Sequence, residues 1–183
     1  MKLKKGCLLL AEPSILDDIS FNRAVILLSE HNDDGSVGFI INKPLQHTIQ
    51  ELIPEINAQF IVYNGGPVGQ ENLYFIHTIP HLIPDSIEIA AGIYWGGDFE
   101  VTKVLINQGL ITKENIRFFL GYTGWEYLQL ETEMEQNAWL CLPNELGSNL
   151  IAKSSQHFWK NKMQELGGDY LLFSNAPENP ALN

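Results

Sequence analysis

Phe118-Phe119-Leu120-Gly121-Tyr122-Thr123-Gly124-Trp125, with Gln129-Leu130-Glu131 close behind, is the stretch from which the rest of the chain is read. An apolar run reaches a glycine, an aromatic follows, and a second glycine and a tryptophan lead into a segment with a polar face. Glycines this close together point to backbone with positive φ or to very close approach of another segment. Asn64-Gly65-Gly66-Pro67-Val68 carries the same signature earlier in the chain. Outward from Gly121, residues 116–120 are predicted to form a strand. Residues 125–136 are predicted to form a helix whose acidic face carries Glu126, Glu131, Glu133 and Glu135.

The chain has 183 residues, enough to bury a real core, and a single domain over 1–183 is expected. Apolar residues make up 45% and charged residues 18%, the balance of a folded globule rather than of a disordered chain. Against 22 Asp plus Glu stand 11 Lys plus Arg, a net charge of −11. Nucleic-acid affinity needs clustered cations that release counterions, so direct nucleic-acid binding is not expected. Leu8-Leu9-Leu10-Ala11 is too short to span a bilayer and is interrupted by Glu12, so no membrane segment is expected. Cys7 and Cys141 have no CxxC partner and no metal-ligand spacing. Two buried free thiols in a reducing cytoplasm are a simpler reading than one disulfide.

Further elements follow from punctuation and periodicity. Residues 6–11 read as a buried strand, and 23–29 and 37–41 as two strands flanking the turn Asn32-Asp33-Asp34-Gly35, a hairpin signal. Residues 48–53 read as a short helix stopped by Pro54. Residues 60–63 and 73–77 read as strands on either side of Gly65-Gly66-Pro67, and 87–91 as a strand leading into Tyr94-Trp95-Gly96-Gly97. Asp98 is placed as the N-cap of a helix through Gln108, with Gly109 as its left-handed stop. Residues 138–142 form a last strand. A final helix, capped by Ser154 or Ser155, shows the apolar stripe Phe158, Trp159, Met163 and Leu166 and ends at Gly167-Gly168. Strands and long helices do not alternate, which disfavours a doubly wound parallel sheet. An α+β fold, a mixed and strongly bent sheet with a few helices packed on it, fits better.

Chemistry is harder to read. Gly65-Gly66-Pro67 can form a small nest of N–H groups for an anion, or simply a tight turn joining two strands. It lacks the Lys and Ser/Thr of a phosphate-binding loop. The histidines show no zinc-binding spacing, and no metal or cofactor is expected. His31 and His77 can act in proton transfer if they converge with a carboxylate, or brace turns if they do not. No Gly-x-Ser-x-Gly is present, and both cysteines lie in apolar runs where a thiol stays protonated. Trp95, Tyr122 and Trp125 can line a pocket or serve as core.

Taken together the segments resemble the YqgE/AlgH family, uncharacterised bacterial proteins of which some are labelled transcriptional regulators. The resemblance runs from Gly6-Cys7-Leu8-Leu9-Leu10-Ala11 and Pro13 through Asp18, Phe21, Arg23 and Val25-Ile26-Leu27-Leu28 to Glu30-His31. It continues with Gly38-Phe39-Ile40-Ile41-Asn42-Lys43-Pro44-Leu45, Gly65-Gly66-Pro67-Val68, His77 and Gly92-Ile93-Tyr94-Trp95-Gly96-Gly97-Asp98. Phe119 to Trp125, Gln129-Leu130-Glu131, Asn137-Ala138-Trp139 and the terminal Asn179-Pro180-Ala181-Leu182-Asn183 follow in the same order. Leu128 stands where the family usually carries glycine. The resemblance implies a cytoplasmic protein with a compact α+β pseudo-barrel fold and says little about mechanism.

The reading of function is a soluble binding or regulatory module acting through a small molecule or a protein partner. The alternative is an enzyme of the hydrolase class, built on His31, His77 and Asp98 around a glycine-edged cleft. In either case the polar residues at the ends of apolar runs are expected to share one concave surface. These are His31, Asn42, His77, Asp98, Gln129 and Glu131, with Gly65, Gly66 and Trp125 at its edge.

Overall fold

A computed structural model describes residues 2–13 and 20–176. Asp18 and Asn179 to Asn183 lie outside the described residues. The N-terminal apolar runs become strands β1 (Leu8–Ala11) and β2 (Val25–Asn32), paired antiparallel with Leu9 opposite Ile26. Successive side chains on a strand point to opposite faces. Leu8, Leu10, Val25 and Leu27 therefore enter one core, while Leu9, Ala11, Ile26 and Leu28 enter a second on the other face. Burial on both faces is why these runs are continuously apolar instead of alternating. The expected hairpin joins β2 to β3 (Gly35–Ile40) across Asp33-Asp34, where the Asn32 side chain accepts the Asp34 N–H at 2.8 Å.

The chain continues through β4 (Pro44–Thr48), α1 (Ile49–Leu52), β5 (Ile61–Asn64), β6 (Val68–His77), β7 (Ile87–Ala90), β8 (Ile93–Trp95) and α2 (Phe99–Asn107). It ends with β9 (Ile116–Trp125), α3 (Gln129–Glu135), β10 (Trp139–Leu142), a 3-10 turn at Gly147–Asn149, α4 (Leu150–Lys153), α5 (Phe158–Leu166) and α6 (Tyr170–Asn175). The ten strands among the described residues form one open sheet in the order β10-β1-β2-β3-β9-β6-β8-β7, with β5 beside β9 and β4 beside β5. Among the described strands only β5 runs parallel to its neighbour β9, so the sheet is mixed. Register shifts at Leu28/Glu30, Val68/Leu73 and Glu88/Ala90 are bulges of the kind that bend a sheet. The α+β fold expected from the sequence is the one found.

β9 is the spine. Its residues 118–120 are held by β5 on one edge and β6 on the other, and its end, 123–125, by β3. Phe119 points into the first core, Phe118 into a third core with Val62 and Phe75, and Trp125 into the second. The predicted strand over 116–120 thus runs on through both glycines to Trp125, and the helix predicted over 125–136 begins only at Gln129.

The glycines permit a crossing. β5 and β6 lie on opposite edges of β9, so Gly65-Gly66-Pro67 is no hairpin turn; it carries the chain over β9. A Cβ on Gly65 or Gly66 would overlap the backbone of Gly121 or Tyr122, and a Cβ on Gly121 would meet the Gly66 carbonyl.

Other expectations shift in detail. Residues 44–48 form a strand that the sequence reading leaves out, and Ile93–Trp95 turns back on β7 as a strand of its own. Asp98 caps α2 as expected, accepting the Val101 N–H at 3.0 Å, and Gly109 at φ 72° follows its end. The last predicted helix starts at Phe158; Ser154 instead ends α4, and α6 follows Gly167-Gly168.

Candidate functional site

Four of the expected site residues meet at the far end of β9. Asn32 opposes Gly35 across the two-residue loop, so the ladder puts His31 opposite Ser36, and Ser36 in turn lies opposite Trp125. His31 Nδ1 is 2.8 Å from Ser36 Oγ, and His31 Nε2 is 3.7 Å from Glu131 Oε1 on α3. With the imidazole proton on Nε2 toward Glu131, Nδ1 accepts the Ser36 hydroxyl. Gln129 Oε1 accepts the Glu126 N–H at 3.0 Å, bracing the start of α3, while its Nε2 donates to Glu133 Oε1 at 3.0 Å.

Glu133 fastens this corner. Its Oε2 accepts the indole N–H of Trp125 at 2.9 Å and of Trp139 at 2.7 Å. α3 is thereby pinned across the end of the sheet. The sequence reading counted Glu133 only as part of an acidic face. The available signal was a carboxylate on a short helix flanked by two tryptophans. Ser36 was missed as well, although the two-residue loop alone fixes its place opposite His31.

Beside this corner is an open groove of about 590 Å³. Trp125, Gln129, Tyr122, Val68 and Ser36 contribute to its walls, together with the acids Glu30, Asp34 and Glu126. No lysine or arginine lines it among the described residues. By strand alternation Glu30, Val37 and Gly124 share one face, and His31 and Ser36 the other. His31 therefore stands on the opposite face of the sheet from Glu30, facing Glu131 of α3. Tyr127 and Leu128, next in the chain after the lining residue Glu126, are exposed.

The remaining expected residues are elsewhere. His77 pairs with Ile116 at the other end of β9, nine residues from Trp125 and so about 30 Å of strand away. It is fully buried, accepts the Ile79 N–H on Nδ1 at 3.2 Å, donates from Nε2 to the Gly96 carbonyl at 3.2 Å, and stacks on Tyr94. Burial lowers its pKa to about 4, against the opposing pull of the Gly96 carbonyl, so it is neutral at pH 7. Asp98 is occupied as a helix cap. Asn42 is buried, its Oδ1 accepting the Val25 N–H at 2.8 Å and its Nδ2 donating to the Arg23 carbonyl at 2.9 Å, in place of a ladder bond. The N–H groups of Gly65 and Gly66 go to Leu120 O at 2.9 Å and Asn64 Oδ1 at 3.0 Å, so neither serves a nest. One shared surface for all nine residues is ruled out by the length of β9.

The thiols are the two buried free cysteines expected, and only the ionisation of Cys7 departs from expectation. Cys7 and Cys141 are free and buried in the second core. The neighbouring Cys141 thiol lowers the Cys7 pKa, outweighing burial, while the same interaction and burial push Cys141 up. No group of His, Cys, Asp and Glu that could hold a metal ion occurs among the described residues. None of the described helices is long and apolar enough to cross a membrane.

Comparison with known proteins places this geometry in a family. A sequence profile described as AlgH-like matches residues 8–171. A UPF0301 protein of Cytophaga hutchinsonii is 40% identical over 183 residues, covering 99% of this chain and 100% of the relative. One from Chlorobaculum parvum is 39% identical over 184 residues, covering 99% and 96%. The solution structure of the AlgH protein from Pseudomonas aeruginosa superposes with a TM-score of 0.70 at 27% identity, covering 97% of this chain and 98% of that one. A crystal structure of a protein from Corynebacterium diphtheriae shares the fold, with a TM-score of 0.76 at 21% identity and coverage of 96% and 94%.

Proposed function

This chain belongs to the AlgH-like family, and from that premise we propose that it is a cytoplasmic binding or regulatory module that receives a cationic partner in the groove beside α3. The observation that carries this reading is the lining. Glu30, Asp34 and Glu126 face a space with aromatic walls and no cation among the described residues. The frame behind it is held rigid by Glu133, Gln129 and His31, and a preorganised surface loses little freedom on binding. Tyr122, on the same face of β9 as Gly124, gives a cation or a basic peptide a flat π-face to rest on. A net charge of −11 supports a protein or small-molecule partner over nucleic acid.

The test uses the purified chain and a Glu30→Lys/Glu126→Lys variant as baits, with mass spectrometry of what each retains. Both residues are exposed, so the variant is expected to fold. A basic peptide or cationic molecule held by the unaltered chain, lost on the variant and released as salt is raised, is the expected result. Identical retained sets would overturn the reading.

One observation favours a second reading, a hydrolase. Ser36, His31 and Glu131 form a hydroxyl–imidazole–carboxylate series, which is the arrangement that activates a nucleophile. It replaces the His31, His77 and Asp98 set expected from the sequence. Ser36 is 4% exposed, which restricts substrate access and ranks this reading second. Covalent labelling by a fluorophosphonate that disappears in Ser36→Ala would support it; no labelling of the unaltered chain would remove it.

A further inference from the structure

The opposite end of the molecule concentrates the scarce cations. Two adjoining cavities, of about 550 and 450 Å³, share Pro44, Gln156 and His157 as a common wall. Of the chain's 11 lysines and arginines, five line them: Arg23, Lys43, Lys113, Arg117 and Lys160. Glu114 is the one acid among their described lining residues, in a chain with 22. A −11 chain therefore gathers nearly half of its positive charge around one hollow.

Arg117 is the residue that calls for an explanation. It interrupts the apolar β9 and is 7% exposed. Its guanidinium lies over the Tyr63 ring at 4.2 Å. It donates to the carbonyls of Ile41 at 2.6 Å, Ile151 at 2.5 Å and Ser154 at 3.0 Å and to the Ser154 hydroxyl at 2.5 Å. All these partners are neutral dipoles, and no carboxylate lies within ion-pair distance of it among the described residues. A buried charge held only by dipoles leaves an uncompensated positive field, strongest where the dielectric is low. Burial accordingly pushes the Arg117 pKa down. Lys113 and Lys160 likewise make no ion pair among the described residues. Arg23 and Lys43 are already engaged, Lys43 Nζ with the Ser20 carbonyl at 2.8 Å and Arg23 Nη2 with the Ala176 carbonyl at 2.6 Å, and add to the field.

We propose that the joined cavities bind a small phosphate-bearing molecule, with Arg117 supplying the field, Lys113, Lys160 and His157 meeting the phosphate oxygens, and Phe60 and Ile61 meeting the organic body. Spread cations suit a group with several anionic oxygens better than a single carboxylate. The combined size is that of an ordinary small-molecule site. The site lies at the Arg117 end of β9, away from the acidic groove, and stands or falls independently of it.

The test follows amide resonances of the full chain during titration with inorganic pyrophosphate, with ionic strength held constant by sodium chloride. Saturable shifts at Tyr63, Arg117, Ser155 and His157 are expected, and glutarate should bind about tenfold or more weakly. Lys113→Glu/Lys160→Glu removes two cations that hold no ion pair among the described residues, so folding is retained; it should weaken pyrophosphate about tenfold or more. Arg117→Lys, if folded, should weaken it too. Shifts that never saturate, that sodium chloride alone reproduces, or that persist unchanged in the double variant overturn the proposal. Equal binding of glutarate overturns the phosphate assignment.

Discussion

Trp125 and Trp139 stand edge to face, ring centres 5.9 Å apart, and both donate their indole N–H to one oxygen of Glu133. They are 6% and 3% exposed, so neither indole has water as a substitute. Glu133→Ala leaves two buried donors without an acceptor and should destabilise the fold by about 2–4 kcal/mol. Glu133→Gln keeps one carbonyl oxygen and should cost about 1 kcal/mol. Urea denaturation, read by tryptophan fluorescence, checks both; equal midpoints for the two variants would contradict the shared-acceptor account.

His77 predicts a pH dependence with a definite sign. Its pKa is about 4 when folded and 6.5 when free. Between these values the unfolded chain takes up a proton that the folded chain refuses. The stabilisation is therefore complete above pH 6.5, is lost as pH falls toward 4, and amounts to about 3 kcal/mol. Unfolding free energies of the unaltered chain and of His77→Leu, measured from pH 7.5 to 4, should show this extra slope only in the unaltered chain. A slope of opposite sign would show that His77 is charged in the folded state.

Gly66 lies at φ 149°, with its missing Cβ directed into the Tyr122 backbone. Gly66→Ala should cost more than about 3 kcal/mol or prevent folding, since backbone cannot yield as a side chain can. Gly109, at φ 72° with open space around it, is the control. Its alanine variant should cost about 1 kcal/mol, the strain of the left-handed conformation alone. Thermal melts of the pair separate crossing from conformation.

Leu128 adopts φ 62° and ψ 0° just before α3 and is half exposed. A leucine side chain strains this left-handed position by about 1–2 kcal/mol. Glycine removes the strain and adds freedom to the unfolded chain, so Leu128→Gly should be neutral or stabilising by up to about 1 kcal/mol. A loss of stability would show that Leu128 packs on the rim and that contact outweighs strain.

The local part of this architecture was legible in the residues. The turn at Asn32 to Gly35, the Asp98 cap and the Gly109 stop all follow from turn and capping chemistry, which acts over a few neighbouring residues. The corner at α3 was half legible. Trp125, Gln129, His31 and Glu131 were named, but their acceptor Glu133 and the hydroxyl of Ser36 emerge only when register and helix placement are known.

By itself the sequence determined the fold class, the family, the charge balance and the short-range punctuation, because each rests on composition, order or contacts between near neighbours. Only the tertiary structure decided that β9 passes through Gly121 and Gly124 without a break, since a glycine that ends a strand and one that admits a crossing chain look alike in sequence. It also decided that His77 and Asp98 lie far from His31. All three are polar ends of apolar runs, and nothing local tells which end of a ten-residue strand a run will join. Arg117 shows the same limit: a lone charge in an apolar run becomes a site or a brace according to which carbonyls, from segments as distant as Ile41 and Ser154, the fold brings to it.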